Sequence, residues 1–171
     1  SLFEDAVFCL LQTEIPTDAV RAVVNTAKKH KVALMLKPSA VKEIDEELFR
    51  DLDYFIPNRK ELNRLCPCEG SLEEKAAWFL TKGVKTVIVT LGREGCYVRT
   101  EQYERRFPAA AVFAPVDTTG AADAFIATLA VFLSEQKSLQ DALSYAIYAA
   151  GFSTTRIGVV PSLVDRATLE H

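Results

Sequence analysis

The chain has 171 residues, 49% of them hydrophobic and 25% charged, with a formal net charge of −3. That is length and apolar content enough for one buried globular core, and the slightly acidic balance gives no bulk reason to expect nucleic acid or an anionic membrane as partner. No apolar run reaches the roughly 18–20 residues needed to cross a bilayer; the longest, around Ala121–Leu133, is interrupted by Asp123 and Thr128.

Apolar, β-branched runs alternate with helical patterns, which predicts an α/β fold: a doubly wound, mostly parallel sheet with flanking helices. Asp5–Gln12 reads as a first buried strand. Thr17–Lys31 reads as a helix with Thr17 as N-cap and lysines at its C-terminal end, where the helix dipole favours cations. Val32–Pro38 is the next strand, ended by its proline. Lys42–Leu52 has the pattern of a short amphipathic helix, Asp53–Pro57 that of a buried strand, and Asn58–Cys66 that of the helix following it. The next helix starts in a Ser71/Glu74 capping box and stops at Gly83. Lys85–Gly92 is apolar almost throughout, as a central strand should be. The segments CYVRT and YERRFPA then alternate polar and apolar around short turns, the pattern of an antiparallel edge hairpin. Two long helices follow, one opening at Asp117–Asp123 and one spanning Ser138–Arg156, and a tail containing Gly and Pro closes the chain. No repeat, low-complexity run or linker divides it, so a single domain over 1–171 is expected.

Four cysteines and two histidines are scattered, and Cys66-Pro-Cys68 lacks the second pair of a zinc site, so reduced thiols are expected. No basic stretch precedes an apolar core at the start, so no secretory leader is read and a cytoplasmic location is expected. The chain opens at Ser1 almost inside its own first strand, which reads as a fragment of a longer fold.

Ligands in such sheets bind outside the carboxyl ends of the strands. Gln12-Thr13-Glu14, Asn58-x-x-Glu61 and Thr90-Leu91-Gly92 each follow a strand directly, and Asp117–Asp123 follows the antiparallel segment, so all four are expected on one rim. In Asp117-Thr-Thr-Gly-Ala-Ala-Asp123 the unpaired amides of a helix start can hold an anion, and small residues let a phosphate approach. Asp123, in the first turn, is placed to take a proton from a hydroxyl attacking a phosphoryl group. The same residues also read simply as a helix capped by Thr118 or Thr119, with Asp123 complementing the dipole. Asn58 and Glu61 have the spacing of a capping box, and equally of a pair that positions Mg²⁺ through water. Gly95 reads as turn chemistry, whereas Gly92 allows a nucleotide to lie against backbone. No P-loop, dinucleotide-binding glycine motif, nucleophile elbow or metalloprotease helix occurs.

These features, in this order, resemble the ribokinase-like (PfkB-type) carbohydrate kinase family over essentially the whole chain. VDTTGAAD resembles the family's second signature, IPNRKE its Asn-x-x-Glu motif, and VIVTLGREG its nucleotide-contacting strand and turn. The resemblance implies ATP-dependent phosphoryl transfer to a hydroxyl of a sugar or related small alcohol, with Asp123 as catalytic base and the amides of Gly120, Ala121 and Ala122 as the anion hole. It implies Asn58 and Glu61 at Mg²⁺, nucleotide contacts at Asn58, Thr90, Gly92, Gly95 and Ile147, and a sugar contact at Glu14. It also implies a monovalent cation, K⁺ or Na⁺, held by Asp117, Thr119, Ser153, Arg156, Gly158 and Ser162, several of them through carbonyl oxygens. Its partners would be ATP and a small sugar, with a homodimer possible in the full-length parent.

Three departures from the family pattern stand out: Ala122 where Gly is usual, Lys37 where Asn-Pro is common, and the apolar Ile147 where a polar residue often lies near adenine. Family members are about twice this length, so the resemblance implies the C-terminal, nucleotide-binding half of the fold, without its N-terminal strands and lid, and inactive alone. The competing readings are a non-catalytic nucleotide- or anion-binding module and, less favoured, a flavodoxin-like signalling domain, which lacks its acidic cluster because Gln12-Thr13 ends the first strand.

Overall fold

The computed structural model describes residues 2–40 and 43–170. They fall into two compact units, Ser1–Leu91 with Tyr97–Arg106, and Gly92–Cys96 with Phe107–His171.

The first unit is built on a six-stranded sheet whose order follows the chain: β1 (Phe8–Gln12), β2 (Ala33–Lys37), β3 (Tyr54–Phe55), β4 (Thr86–Thr90), β5 (Cys96–Thr100) and β6 (Glu104–Phe107). The first four are parallel, with Gln12 beside Lys37, Leu36 beside Phe55, and Phe55 beside Val87. β5 and β6 are neighbours joined by only Glu101–Tyr103, with the Thr100 N–H donating to the Tyr103 carbonyl at 2.9 Å. A link that short joins only antiparallel strands. The mixed α/β sheet with flanking helices and an antiparallel edge is therefore as expected.

Side-chain alternation sends Leu11, Leu34, Leu36, Phe55, Val87 and Val89 into one continuous core. On that core lies α1 (Thr17–His30), which buries Val20, Val24 and Ala27, four and then three residues apart on one helical face. Pro16, not Thr17, is the N-cap residue, and it offers no side-chain oxygen; Lys31 ends the helix in the left-handed conformation. The expected helix before β3 is instead a short 3-10 helix, Glu46–Asp51, begun where the Asp45 carboxylate accepts the Glu47 N–H. Lys42, its expected start, lies outside the described residues. The rings of Phe49, Phe55 and Phe79 pack with centroids 4.7–5.4 Å apart and join this turn to β3 and to α3 (Leu72–Thr81). Both expected capping boxes form: Asn58/Glu61 opens α2 (Arg59–Leu65) and Ser71/Glu74 opens α3.

The second unit is a helical hairpin of α4 (Ala121–Ser134) and α5 (Leu139–Ser153), followed by α6 (Arg166–Glu170). α4 is apolar over most of its circumference and buries Ala124, Phe125, Ile126, Leu129, Ala130 and Phe132. Phe132 stacks face to face on Tyr145 of α5 at 4.0 Å. Gly151 of α5 has no room for a side chain, because an added Cβ would meet the Phe113 ring at 2.7 Å. No helix among the described residues is long and apolar enough to cross a membrane.

Candidate active-site elements

Three of the four expected positions share the carboxyl-end rim of the parallel strands in the first unit. Gln12 and Lys37 are register partners at the ends of β1 and β2, and Asn58 and Thr90 form a parallel bridge just past β3 and at the end of β4. The Thr13 hydroxyl donates to the Ser39 carbonyl at 2.6 Å, so the loops after β1 and β2 are tied together. Glu14 is exposed on the first of these loops, and Thr90 is half-buried with its N–H donating to the Pro57 carbonyl at 2.9 Å.

Asn58 and Glu61 cap their own helix. The Asn58 side-chain oxygen accepts the Glu61 N–H at 2.9 Å, and Glu61 Oε2 accepts the Asn58 N–H at 2.7 Å. Lys37 completes the group: its Nζ donates to Glu61 Oε1 at 2.8 Å and Oε2 at 2.7 Å, with only 7% and 12% of the two side chains exposed. The cation expected near the rim is thus the direct partner of the Asn-x-x-Glu acid, a pairing that neither motif reveals alone. A carboxylate accepts about four hydrogen bonds, and Glu61 already receives three. The remaining lone pair suits a water of hydrated Mg²⁺, an ion that gives up its waters reluctantly.

The second unit carries the Asp117–Asp123 turn. Neither Thr118 nor Thr119 caps α4 through its side chain; the N-cap is Gly120, with φ of +80°. Asp117 accounts for this, because its Oδ1 accepts both the Thr119 N–H at 2.9 Å and the Thr119 hydroxyl at 2.7 Å, drawing that side chain away from the helix. Asp117 Oδ2 accepts the Gly158 N–H at 3.3 Å, and the Thr154 carbonyl accepts the N–H groups of Val116 and Asp117. Gly120 is required twice over: its φ is left-handed, and an added Cβ would lie 2.9 Å from Val159 Cγ1. The Ala121 N–H donates to the Thr118 carbonyl at 3.3 Å, while the Gly120 and Ala122 N–H groups have no partner among the described residues. Ala122 lies inside α4 with ordinary φ, so its methyl group does not distort the helix start. Asp123 is exposed in the first helical turn.

The Thr119 N–H, and then its hydroxyl and the Gly158 N–H, hold the Asp117 carboxyl below the usual carboxylate range. A depressed folded pKa means these bonds are in place at neutral pH and are lost only as pH falls through that pKa, below the unfolded value of about 3.9. The Thr119 and Gly158 amide resonances should therefore titrate together in NMR spectra with a midpoint below that value. A midpoint at or above it would show that Asp117 does not fasten this loop.

The other cation-loop residues are arranged more locally than the resemblance implies. The buried Ser153 and Ser162 hydroxyls donate to the carbonyls of Ala150 (2.8 Å) and Val159 (2.7 Å). Arg156 is exposed, reaches the Pro161 carbonyl at 3.4 Å and lies over the Phe152 ring. The oxygen donors this loop offers are the Asp117 carboxylate and backbone carbonyls, hard ligands of the kind K⁺ and Na⁺ take.

Among the expected nucleotide contacts, Ile147 is half-buried on α5, while Gly92 and Gly95 differ sharply from each other. Gly92 has φ of +60° and open space where a Cβ would go. Gly95 has φ of +91°, and a Cβ there would lie 2.0 Å from the Phe107 carbonyl oxygen and 2.6 Å from Ala109 N. Gly95→Ala should lower the unfolding free energy by about 3 kcal/mol and Gly92→Ala by about 1 kcal/mol. Urea unfolding of the two variants checks this; equal midpoints would contradict it.

The profile of the pfkB family carbohydrate kinase matches residues 3–166. Ribokinase of Staphylococcus aureus (strain COL) is 32% identical over 164 residues, which is 93% of this chain and 54% of that protein. The crystal structure of ribokinase from Thermotoga maritima superposes with a TM-score of 0.90 at 34% identity, over 99% of this chain and 57% of its own. Arabidopsis thaliana ribokinase, solved with ribose and ATP, gives 0.92 at 31% identity, over 99% and 56%. The chain spans about half the length of the curated relatives it matches.

Proposed function

The chain belongs to the pfkB family of carbohydrate kinases, and from that premise we propose that it supplies the nucleotide and phosphoryl-charge part of an ATP-dependent kinase acting on a hydroxyl of a sugar or related small alcohol. The observation that carries this reading is the start of α4. There, left-handed Gly120 leaves amides unpaired in front of a 14-residue helix, with Asp123 in its first turn.

In the second unit, Asp123 accepts the proton of the acceptor hydroxyl as that oxygen attacks the γ-phosphorus and the bridging oxygen departs with the ADP electrons. The charge spread over the three equatorial oxygens meets the N–H groups of Gly120 and Ala122, which have no other partner among the described residues, and that of Ala121, which exchanges its long 3.3 Å bond to the Thr118 carbonyl for the phosphoryl group. Asp117 and the carbonyls around Ser153, Arg156, Gly158 and Ser162, with Thr119, would hold a monovalent cation, whose charge would help offset that of the phosphates. In the first unit, Asn58 and Glu61 would hold Mg²⁺ through its waters, and the ion would neutralise phosphate charge. Thr90, Gly92 and Ile147 face the nucleotide, Gly95 keeps its turn closed, and Glu14 contacts the sugar. The compartment is the cytoplasm.

For these 171 residues by themselves, the reading is binding of Mg-ATP without sugar turnover. Calorimetry with Mg-ATP, followed by an ADP-release assay against a sugar panel headed by ribose, tests both parts. Failure to bind Mg-ATP would overturn the nucleotide reading. Sugar-dependent ADP release would instead make the chain a complete kinase and overturn the half-site reading.

A further inference from the structure

The segment that closes α2 brings two thiols together at the end of the helix away from Asn58 and Glu61. Cys66 and Cys68 flank Pro67, and their Sγ atoms are 2.6 Å apart. Local backbone geometry produces this. Cys66 ends the helix with its N–H donating to the Leu62 carbonyl, and then adopts an extended conformation (φ −83°, ψ 120°). Proline fixes the next φ, and in extended chain residues two apart project to the same side. Cys66 is 5% exposed, whereas Cys68 is half-buried. The remaining cysteines are different: Cys96 is 1% exposed, and among the described residues no thiol contact involves it or Cys9.

We propose that Cys66 and Cys68 form a dithiol site that reduces a low-molecular-weight disulfide of the glutathione class and itself closes into a Cys66–Cys68 disulfide. The more accessible Cys68, as thiolate, attacks one sulfur of oxidised glutathione; a Cys68–glutathione bond forms, the glutathione S–S bond breaks, and one glutathione thiolate leaves and takes up a proton. Cys66 then loses its proton to solvent and attacks Cys68 Sγ, expelling the second glutathione thiolate, which is protonated in turn. Two protein thiols are oxidised and one glutathione disulfide is reduced to two thiols. Burial lifts the Cys66 thiol to about 11, with the nearby Lys75 ammonium pulling it partly back. The second step therefore quickens as pH rises toward that value, since the thiolate is the attacking form.

The test is incubation of the full 171-residue chain with oxidised glutathione, alkylation with N-ethylmaleimide, intact-mass measurement and tryptic mapping. Cleavage after Arg64 and Lys75 isolates both thiols in one peptide, Leu65–Lys75, apart from Cys9 and Cys96. The expected result is alkylation of two of the four cysteines and a Leu65–Lys75 peptide lighter by two hydrogens. Cys66→Ser should trap a glutathione adduct on Cys68, and the half-buried site of Cys68→Ser should give a folded chain with neither adduct nor disulfide. Retention of four alkylated thiols, a lasting glutathione adduct on the unaltered chain, or pairing through Cys9 or Cys96 would overturn the proposal.

Discussion

Asp123→Asn is expected to lower sugar-dependent ATP turnover by about 10²–10⁴-fold, the range in which a positioned general base contributes. The measurement is made on any form of the protein that turns over sugar. Asparagine keeps the size and position of the side chain in the first turn of α4 but accepts no proton at neutral pH. The amides proposed to bind the anion belong to the backbone of Gly120, Ala121 and Ala122 and are untouched by the change. Mg-ATP affinity should therefore hold while kcat falls. If Asp123 did no more than complement the helix dipole, the change would cost about 0.3–1 kcal/mol of stability and leave turnover alone. Unchanged kcat would remove Asp123 as the base.

Lys37→Met should destabilise the first unit by about 3–5 kcal/mol, because it strands the Glu61 carboxylate in a largely buried site. Both side chains are nearly out of water, at 7% and 12% exposure, so solvent screening gives little relief. After the change, Glu61 retains the Asn58 N–H and loses both bonds from Nζ. Glu61→Gln alone should also be costly, since it leaves an ammonium buried without its counter-charge. The double variant Lys37→Met/Glu61→Gln should be more stable than either single variant, because it buries no unpaired charge. Urea denaturation of the four chains decides the matter. Single variants that cost under about 1 kcal/mol would mean the pair behaves like an exposed ion pair.

What the sequence made legible was whatever local chemistry controls. The capping boxes at Asn58/Glu61 and Ser71/Glu74 depend on three-residue spacings and form as expected. Near-continuous apolar runs marked the parallel strands, and their alternation with helices placed the first three candidate positions at strand ends. What escaped depends on partners distant in sequence. Lys37 and Glu61 are 24 positions apart and meet because β2 ends beside the start of α2. Val159, which covers Gly120, comes from a tail that gives no periodic signal. The expected threonine cap failed because Asp117 competes for Thr119 and leaves Gly120 as N-cap. The amphipathic pattern before β3 became a 3-10 helix begun at Asp45, too short a segment for periodicity to separate the two helix types.

The departures from the family pattern also gain physical content. Ala122 adopts ordinary helical backbone and keeps its N–H, so alanine in place of glycine leaves the amide of the proposed anion hole intact. Lys37 compensates the charge of Glu61, so the acid of the Asn-x-x-Glu motif is already partnered at the rim of the first unit.

The proposed role of the amides at the start of α4 is to receive the transferred phosphoryl charge. NMR titration of the ¹⁵N-labelled chain with Mg-ATP tests it most directly, because each amide reports separately. The largest shifts are expected at Gly120, Ala121 and Ala122, with Thr90 and Gly92 also responding. Saturable binding that leaves those three amides unmoved would contradict it.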